Sequence, residues 1–348
     1  MSDSTTAGRF PVAPDGVSGR IILFKLICVA APVIVGLSVA EAYFRLGDCS
    51  QAYWTVDQLK STAPNKKLSN TFDADLGYRP VLDGKKYDAQ GTRVNDYSLA
   101  ERPGVCRVLF LGDSVTARGK LIAALAARYG DERFEYWNAG VEGFDASQEA
   151  TYFEHFNYRV QPDHVVLTFH NNDFTPQTVA DFDDDGCITF YGADCRWSIR
   201  LPWMLRQSEL VRWASASRFR SKARASDRVE RSLRNLKDRL ARDGVHFSVI
   251  LLPIFQNYKD WPEKALSSRE RSLAIFNTLR LRYFDVLPAV QEALDERIDV
   301  CESLGDTWHP SDAVCDRMAR KLITQWLLEP VADRMASDVD AATESSLR

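Results

Sequence analysis

The sequence predicts an α/β domain, a parallel sheet with helices on both faces, preceded by one N-terminal transmembrane helix. Three observations carry this. Short apolar runs of strand length alternate with longer segments of helical periodicity, and strands separated by helices pair in parallel. Residues 26–44, LICVAAPVIVGLSVAEAYF, are almost wholly apolar over the length that crosses a bilayer core. Of 348 residues, 45% are hydrophobic and 26% charged, an ordinary globular composition with enough chain for one large domain and extras.

Taken from the N-terminus, residues 1–25 are polar, carry Pro and Gly, and read as a disordered leader. Arg9, Arg20 and Lys25 precede the apolar stretch and fewer cations follow it closely. The positive-inside bias therefore places the leader in the cytoplasm and everything after Arg45 outside. Two alternatives stand beside a signal anchor at 26–44. One is a buried core helix; the other is a cleaved signal peptide, because Ala40-Glu41-Ala42 has the small-x-small form of a cleavage site. A signal peptide would export the domain as well. Residues 45–70 read as a stalk, 71–330 as the domain proper, and 331–348 as a tail.

Cysteine usage bears on the compartment. Cys28 lies in the apolar segment, and the other six of the seven form an even set, as full pairing in an oxidising space requires. Cys187 is close in the chain to Cys195, and Cys301 to Cys315, which leaves Cys49 with Cys106. The alternative is six thiols packed as small hydrophobes. No C-x-x-C spacing is present, so no metal site is expected.

Within the domain, strands are expected at 108–111, 134–137, 164–169 and 246–252, and helices at 121–129, 148–157, 269–280 and 312–328. Residues 181–245 interrupt this rhythm. DFDDDGCITFYGADC reads as a hairpin with Gly186 in the turn. Asp181, Asp183, Asp185 and Gly186 resemble the start of a calcium loop, but Gly192 stands where its last acidic ligand belongs, so a solvated turn is expected. The stretch that follows, to Arg242, has a strong excess of Lys and Arg. With Trp203 and Trp213 this local basic insertion can lie on an anionic membrane or glycan, or simply present a charged outer face. The formal net charge of -4 argues against nucleic acid as a partner.

The chemistry concentrates at predicted strand ends. RVLFLGDS, at 107–114, is a buried strand that delivers Ser114 to the start of a helix, at the edge of the sheet where open α/β folds bind ligands. A serine needs a base, and the base needs an orienting group. Asp306-Thr307-Trp308-His309-Pro310 supplies both in five residues before the last helix. His155, His164 and His246 sit within predicted elements and read as structural, while His170 ends a strand beside Asn171 and Asn172 and can face the same cleft. Asn138-Ala139-Gly140 and His170-Asn171-Asn172-Asp173 offer oxyanion donors at two further strand ends.

In order, these segments resemble the blocks of the SGNH (GDSL) hydrolases. GDS at 112–114 is similar to the nucleophile block, NAG at 138–140 to the glycine block, NND at 171–173 to the asparagine block and DTWH at 306–309 to the D-x-x-H block. The match covers about 105–328, and LGYRP at 76–80 resembles extensions before such domains in exported bacterial proteins. The resemblance implies a three-layer flavodoxin-like fold, Ser114 as nucleophile, His309 as base and Asp306 as its orienting group. It also implies oxyanion donors from the backbones of Ser114 and Gly140 and the amide of Asn172. Asp113, His170 and Asn171 become substrate-contact candidates, with no cofactor. One departure is that His170 stands where the third block usually has glycine, which would narrow the cleft or add a polar contact. The absence of G-x-S-x-G argues against the other common esterase fold.

The function expected from sequence is a serine esterase, outside the bacterial cytoplasmic membrane or secreted, acting on O-acyl groups, foremost O-acetyl groups of a cell-surface or exported glycan. An O-acetyltransferase using the same residues is the alternative. A silent glycan-binding or assembly module is the reading from another class.

Overall fold

Period-two alternation in the apolar runs sets the architecture. In the computed structural model, which describes residues 19–46, 70–73, 75–130, 132–174, 179–182, 188–191, 208, 210 and 222–321, five of these runs form one parallel sheet. Its strands are β3 (Cys106–Leu111), β4 (Phe134–Asn138), β5 (His164–Phe169), β8 (His246–Leu251) and β9 (Tyr283–Asp285), in the order β4-β3-β5-β8-β9. This is the flavodoxin-like order.

Each face of the sheet carries alternate residues and its own helices. Val108 and Phe110 of β3, Val166 of β5 and Ile250 of β8 pack on α3 (Lys120–Tyr129), α7 (Leu287–Asp295) and α8 (Asp312–Lys321). Leu109, Leu111, Val165, Leu167, Val249 and Leu251 face the other way, onto α4 (Ala146–His155), α5 (Lys222–Arg242) and α6 (Glu263–Thr278). A one-residue slip in any strand would exchange the two sets.

Helix α5 shows what the later part of the basic stretch does. Val229, Leu233, Leu236 and Leu240 recur at helical spacing and are fully buried in the second core, so the excess charge is the outer face of a sheet-covering helix. The earlier part contains the expected hairpin, as β6 (Val179–Phe182) antiparallel to β7 (Ile188–Tyr191). Its turn with Asp183, Asp185 and Gly186, together with Trp203 and Trp213, lies outside the described residues, as do the leader before Gly19, most of the stalk and the tail.

Helix α1 (Gly19–Leu46) contains Leu23–Tyr43, 21 residues of mean hydropathy 2.3 with none of that window buried. The absence of burial across Leu23–Tyr43 removes the core-helix alternative for that window. A membrane anchor and a signal sequence both fit it.

Two features outside the sheet matter for the site. At the amino edge, Arg107 is buried with Glu135: Nε donates to Oε2 at 3.0 Å, Nη1 to the Val160 carbonyl at 3.0 Å and Nη2 to the Ala100 carbonyl at 2.6 Å. At the carboxyl edge, the chain before β3 forms a strap that begins with the hairpin of β1 (Asn70–Asp73) and β2 (Gly77–Pro80). Leu76, Tyr78 and Tyr87 of the strap pack with Val141, Phe144 and Tyr152 in a small core of their own.

Candidate active site

The order of the sheet reverses between β3 and β5, and the crevice at their carboxyl ends is where such folds bind ligands. The chain leaves β3 through Gly112, where an added Cβ would overlap the hydroxyls of Thr116 and Thr168. Only glycine allows this close approach. Asp113 then caps the short helix α2 (Ser114–Arg118), its Oδ1 accepting the Val115 N–H at 2.9 Å. Ser114, the first residue of that helix, is half-buried.

The structure brings Ser114, His309 and Asp306 together. Ser114 Oγ lies 2.9 Å from His309 Nε2, and His309 Nδ1 lies 2.7 Å from Asp306 Oδ2. A carboxylate only accepts, so Nδ1 carries the ring proton and Nε2 presents its lone pair to the hydroxyl, the arrangement of a general base. Burial pushes the Asp306 carboxyl up, but the hydrogen bonds from the His309 ring and from the backbone N–H groups of Trp308 and His309 outweigh it and hold the group below the usual carboxylate range.

What holds this loop differs from the sequence expectation. Cys301 and Cys315 are free thiols, so the bridge expected between them is absent. Cys301 instead donates its S–H to the Phe255 carbonyl, 2.9 Å away, while Cys315 is buried on the core face of α8, where burial pushes its thiol up to about 12. Both cysteines pack at the same core, yet proximity in sequence did not join their sulfurs. Backbone pairing does the work instead: Cys301 bridges Pro310, and Glu302 N–H donates to the His309 carbonyl at 2.9 Å. The expected partner of Cys106, Cys49, and the pair Cys187 and Cys195 lie outside the described residues.

Charge adds to this. Arg118 pairs with Glu302 and reaches Asp306 at 3.9 Å, and Lys120 joins Glu302 at 3.3 Å. Glu302, Asp306 and His309 are close enough to hold a cation. The two basic residues already neutralise Glu302, which disfavours a metal there. None of Arg118, Lys120 and Glu302 belongs to the sequence expectation, and no motif marks them.

Two of the three expected oxyanion donors, the Gly140 N–H and the Asn172 amide, are already engaged. Gly140 N–H donates to Asn138 Oδ1 at 3.0 Å, and Asn172 Nδ2 to Asp113 Oδ2 at 3.2 Å. A Cβ on Gly140 would press on the Ala117 nitrogen and lie 2.6 Å from the Thr116 carbonyl carbon, so glycine is required for the glycine loop to lie against α2. Of the substrate-contact candidates, Asp113 is the helix cap just described. Asn171 is buried, its carbonyl accepting from Ser268 Oγ at 2.7 Å and its amide without a partner among the described residues. His170 is buried in the cleft wall, 5.0 Å between ring centres from the half-exposed Trp308.

The strap reaches the site directly. Tyr87 Oη donates to the Gly140 carbonyl at 2.8 Å, and Tyr78 Oη to the Glu142 carbonyl at 3.0 Å. On the far side of the same peptide, Val141 N–H donates to the Gly112 carbonyl at 2.9 Å, so the peptide after Gly140 is held at both ends. Tyr87→Phe is expected to cost about 1–3 kcal/mol in urea unfolding, because it leaves a buried carbonyl without its donor. A change within error would remove the strap from any role in holding this loop.

No known protein-family profile matches the sequence, and no curated protein matches it. Solved structures do resemble the domain. The acetylxylan esterase Axe2 from Geobacillus stearothermophilus overlays at TM-score 0.40 with 16% identity, over 64% of this chain and 94% of that one. LAE5, an alpha/beta hydrolase enzyme from the metagenome of Lake Arreo, Spain, gives 0.42 and 16%, over 64% and 95%. The acetyl xylan esterase AlAXEase gives 0.40 and 15%, over 63% and 98%. Overlap at this level assigns neither a residue nor a substrate.

Proposed function

We propose that this chain is an extracytoplasmic serine esterase of the SGNH type, cleaving O-acyl esters, foremost O-acetyl groups of a cell-surface or exported polysaccharide. One observation carries the reading: the unbroken line Ser114 Oγ to His309 Nε2 at 2.9 Å and His309 Nδ1 to Asp306 Oδ2 at 2.7 Å. Ser114 attacks the ester carbonyl as His309 takes its proton, and the proton passes to the departing sugar alkoxide. Water then attacks the acyl-serine, activated by the same imidazole, and releases the carboxylic acid. The oxyanion is met by the backbone N–H groups of Ser114 and Gly140 and by the Asn172 amide. His170 and Trp308 crowd one side of the cleft, which favours a small acyl group. The half-exposed Trp308 ring beside the base offers a flat apolar face to a sugar.

The test incubates the full chain in detergent with an acetylated polysaccharide, then repeats it with a free sugar acceptor. Acetate release alone supports the esterase. Acetyl transfer to the sugar identifies a transferase instead, and glycan binding without turnover identifies a binding module. Asn172→Ala is expected to lower kcat by about a hundredfold with little change in KM, since its amide acts on the oxyanion and not on the ground state. A pure KM effect would place Asn172 in substrate binding.

A further inference from the structure

The loop after β5 holds a second imidazole, which the proposed reaction does not use. His170 is 1% exposed, and both of its ring nitrogens face hydrogen-bonding partners. Nε2 lies 3.1 Å from the Pro253 carbonyl oxygen and Nδ1 lies 2.8 Å from Asn172 Oδ1, while Asn172 Nδ2 donates to Asp113 Oδ2 at 3.2 Å. This line of contacts begins at a carbonyl and ends at a carboxylate, and both can only accept. Between them stand one imidazole and one amide. A neutral imidazole supplies one donor and one acceptor, and so does the amide along this line. Two such units between two acceptors leave one contact in which lone pair faces lone pair, whichever way the amide is turned. One additional proton removes the mismatch. With protons on both nitrogens, His170 donates to Pro253 and to Asn172 Oδ1, and the amide is left to donate to Asp113.

We propose that His170 is a proton-dependent positioning residue: doubly protonated, it pins the Asn172 amide onto Asp113, and neutral, it releases the amide toward the oxyanion formed at Ser114. The role in turnover rests on the esterase reading; the protonation behaviour does not. His170 stands where the resembled block usually has glycine, so the device follows from this chain's own residue.

The groups around the ring set its direction. Asp113 faces it through Asn172 from the start of α2, and His309 faces it from the loop before α8. Asp173 of its own loop accepts the His170 backbone N–H at 2.6 Å, and the neighbours from the β8 side are the Pro253 carbonyl and the uncharged Phe255 ring. Burial favours the neutral ring, as does a charged His309, whereas Asp113, Asn172 and Pro253 favour the charged one. Burial prevails, so the proton leaves below the usual histidine range. The amide is free near neutral pH and becomes pinned as the medium turns acidic. Protonation of His170 alone then withholds the Asn172 amide from the oxyanion.

Nitrogen NMR on the full chain in detergent, with histidine labelled and His170 assigned from His170→Gln, reads the ring directly. On titration between about pH 4 and 8, His170 is expected to pass from protons on both nitrogens to a proton on Nε2 alone. Asp113→Asn replaces the terminal acceptor with a group that can donate, so the line is satisfied without the extra proton. In that variant His170 should stay neutral across the range. A single tautomer throughout in the wild type, or an unchanged titration in Asp113→Asn, overturns the proposal. Ser114→Ala should leave the titration intact, which separates failure of this device from failure of the esterase reading. Where turnover is measured, the acid limb of kcat should be steeper in the wild type than in His170→Gln; identical limbs would remove His170 from the reaction.

Discussion

Ser114→Ala is expected to reduce ester turnover by about three orders of magnitude or more while leaving the unfolding transition in place. The hydroxyl is the sole nucleophile in the arrangement, and its loss removes one contact, to His309 Nε2. It does not disturb the cap of α2, which Asp113 provides through Val115. His309→Ala should be about as damaging, because base and nucleophile act as a unit and their losses do not add. Asp306→Ala should be milder, since nucleophile and base both remain. It also removes the acceptor of the Trp308 and His309 N–H groups, so part of its effect is loosening of the loop. Steady-state kinetics with a generic acetyl ester decides this. Ser114→Ala activity within a few-fold of wild type would end the assignment.

The largest effect on stability is expected at the opposite edge of the sheet. Arg107→Met should destabilise the domain by about 3–5 kcal/mol, because it leaves the Glu135 carboxylate buried without its principal partner. Glu135 is fully buried, and its other basic neighbour, Arg102, is 3.6 Å from Oε1 and half-exposed. The carbonyls of Val160 and Ala100 lose their donor in the same change. Urea unfolding should show the loss as a lower midpoint. Adding Glu135→Leu should recover much of it, since two well-packed apolar residues avoid the stranded charge. No recovery in the double variant would mean that the carbonyl contacts, not the ion pair, set the cost.

The sheet was legible from sequence where strands are long and buried on both faces. His164–Phe169 is bounded as the apolar run predicts, and β3, β4 and β8 differ only at their ends. The missed elements are short or depend on distant partners. Tyr283–Asp285 is a three-residue edge strand, only half-buried, which gives no alternation to read. The strap owes its order to residues far along the chain, so nothing local announces it. In α5 the apolar stripe was present in the sequence, but the surrounding Arg and Lys concealed it.

At the site, the positions of the residues were readable because Ser114, Gly140 and Asn172 each follow a buried strand and His309 precedes a helix. What escaped depends on where side chains point. An even count of cysteines permits pairing without providing it, and Cys301 turns to a carbonyl instead. The engagement of Asn172 with Asp113 and His170 is a matter of rotation about side-chain bonds, which no spacing encodes.

The strap also imposes an order on folding. Tyr78 and Tyr87 leave the ribosome before β3, yet their carbonyl partners follow 64 and 53 residues later. Loop closure of that length is paid before the contact rewards it. The strap's tyrosines must therefore wait, exposed, until the loop after β4 exists, and a nascent chain paused before that loop would present them to solvent and to chaperones. The first segment of the domain to be made is fastened only when the loop after β4 has followed it, and until then the peptide after Gly140 lacks one of its two holds.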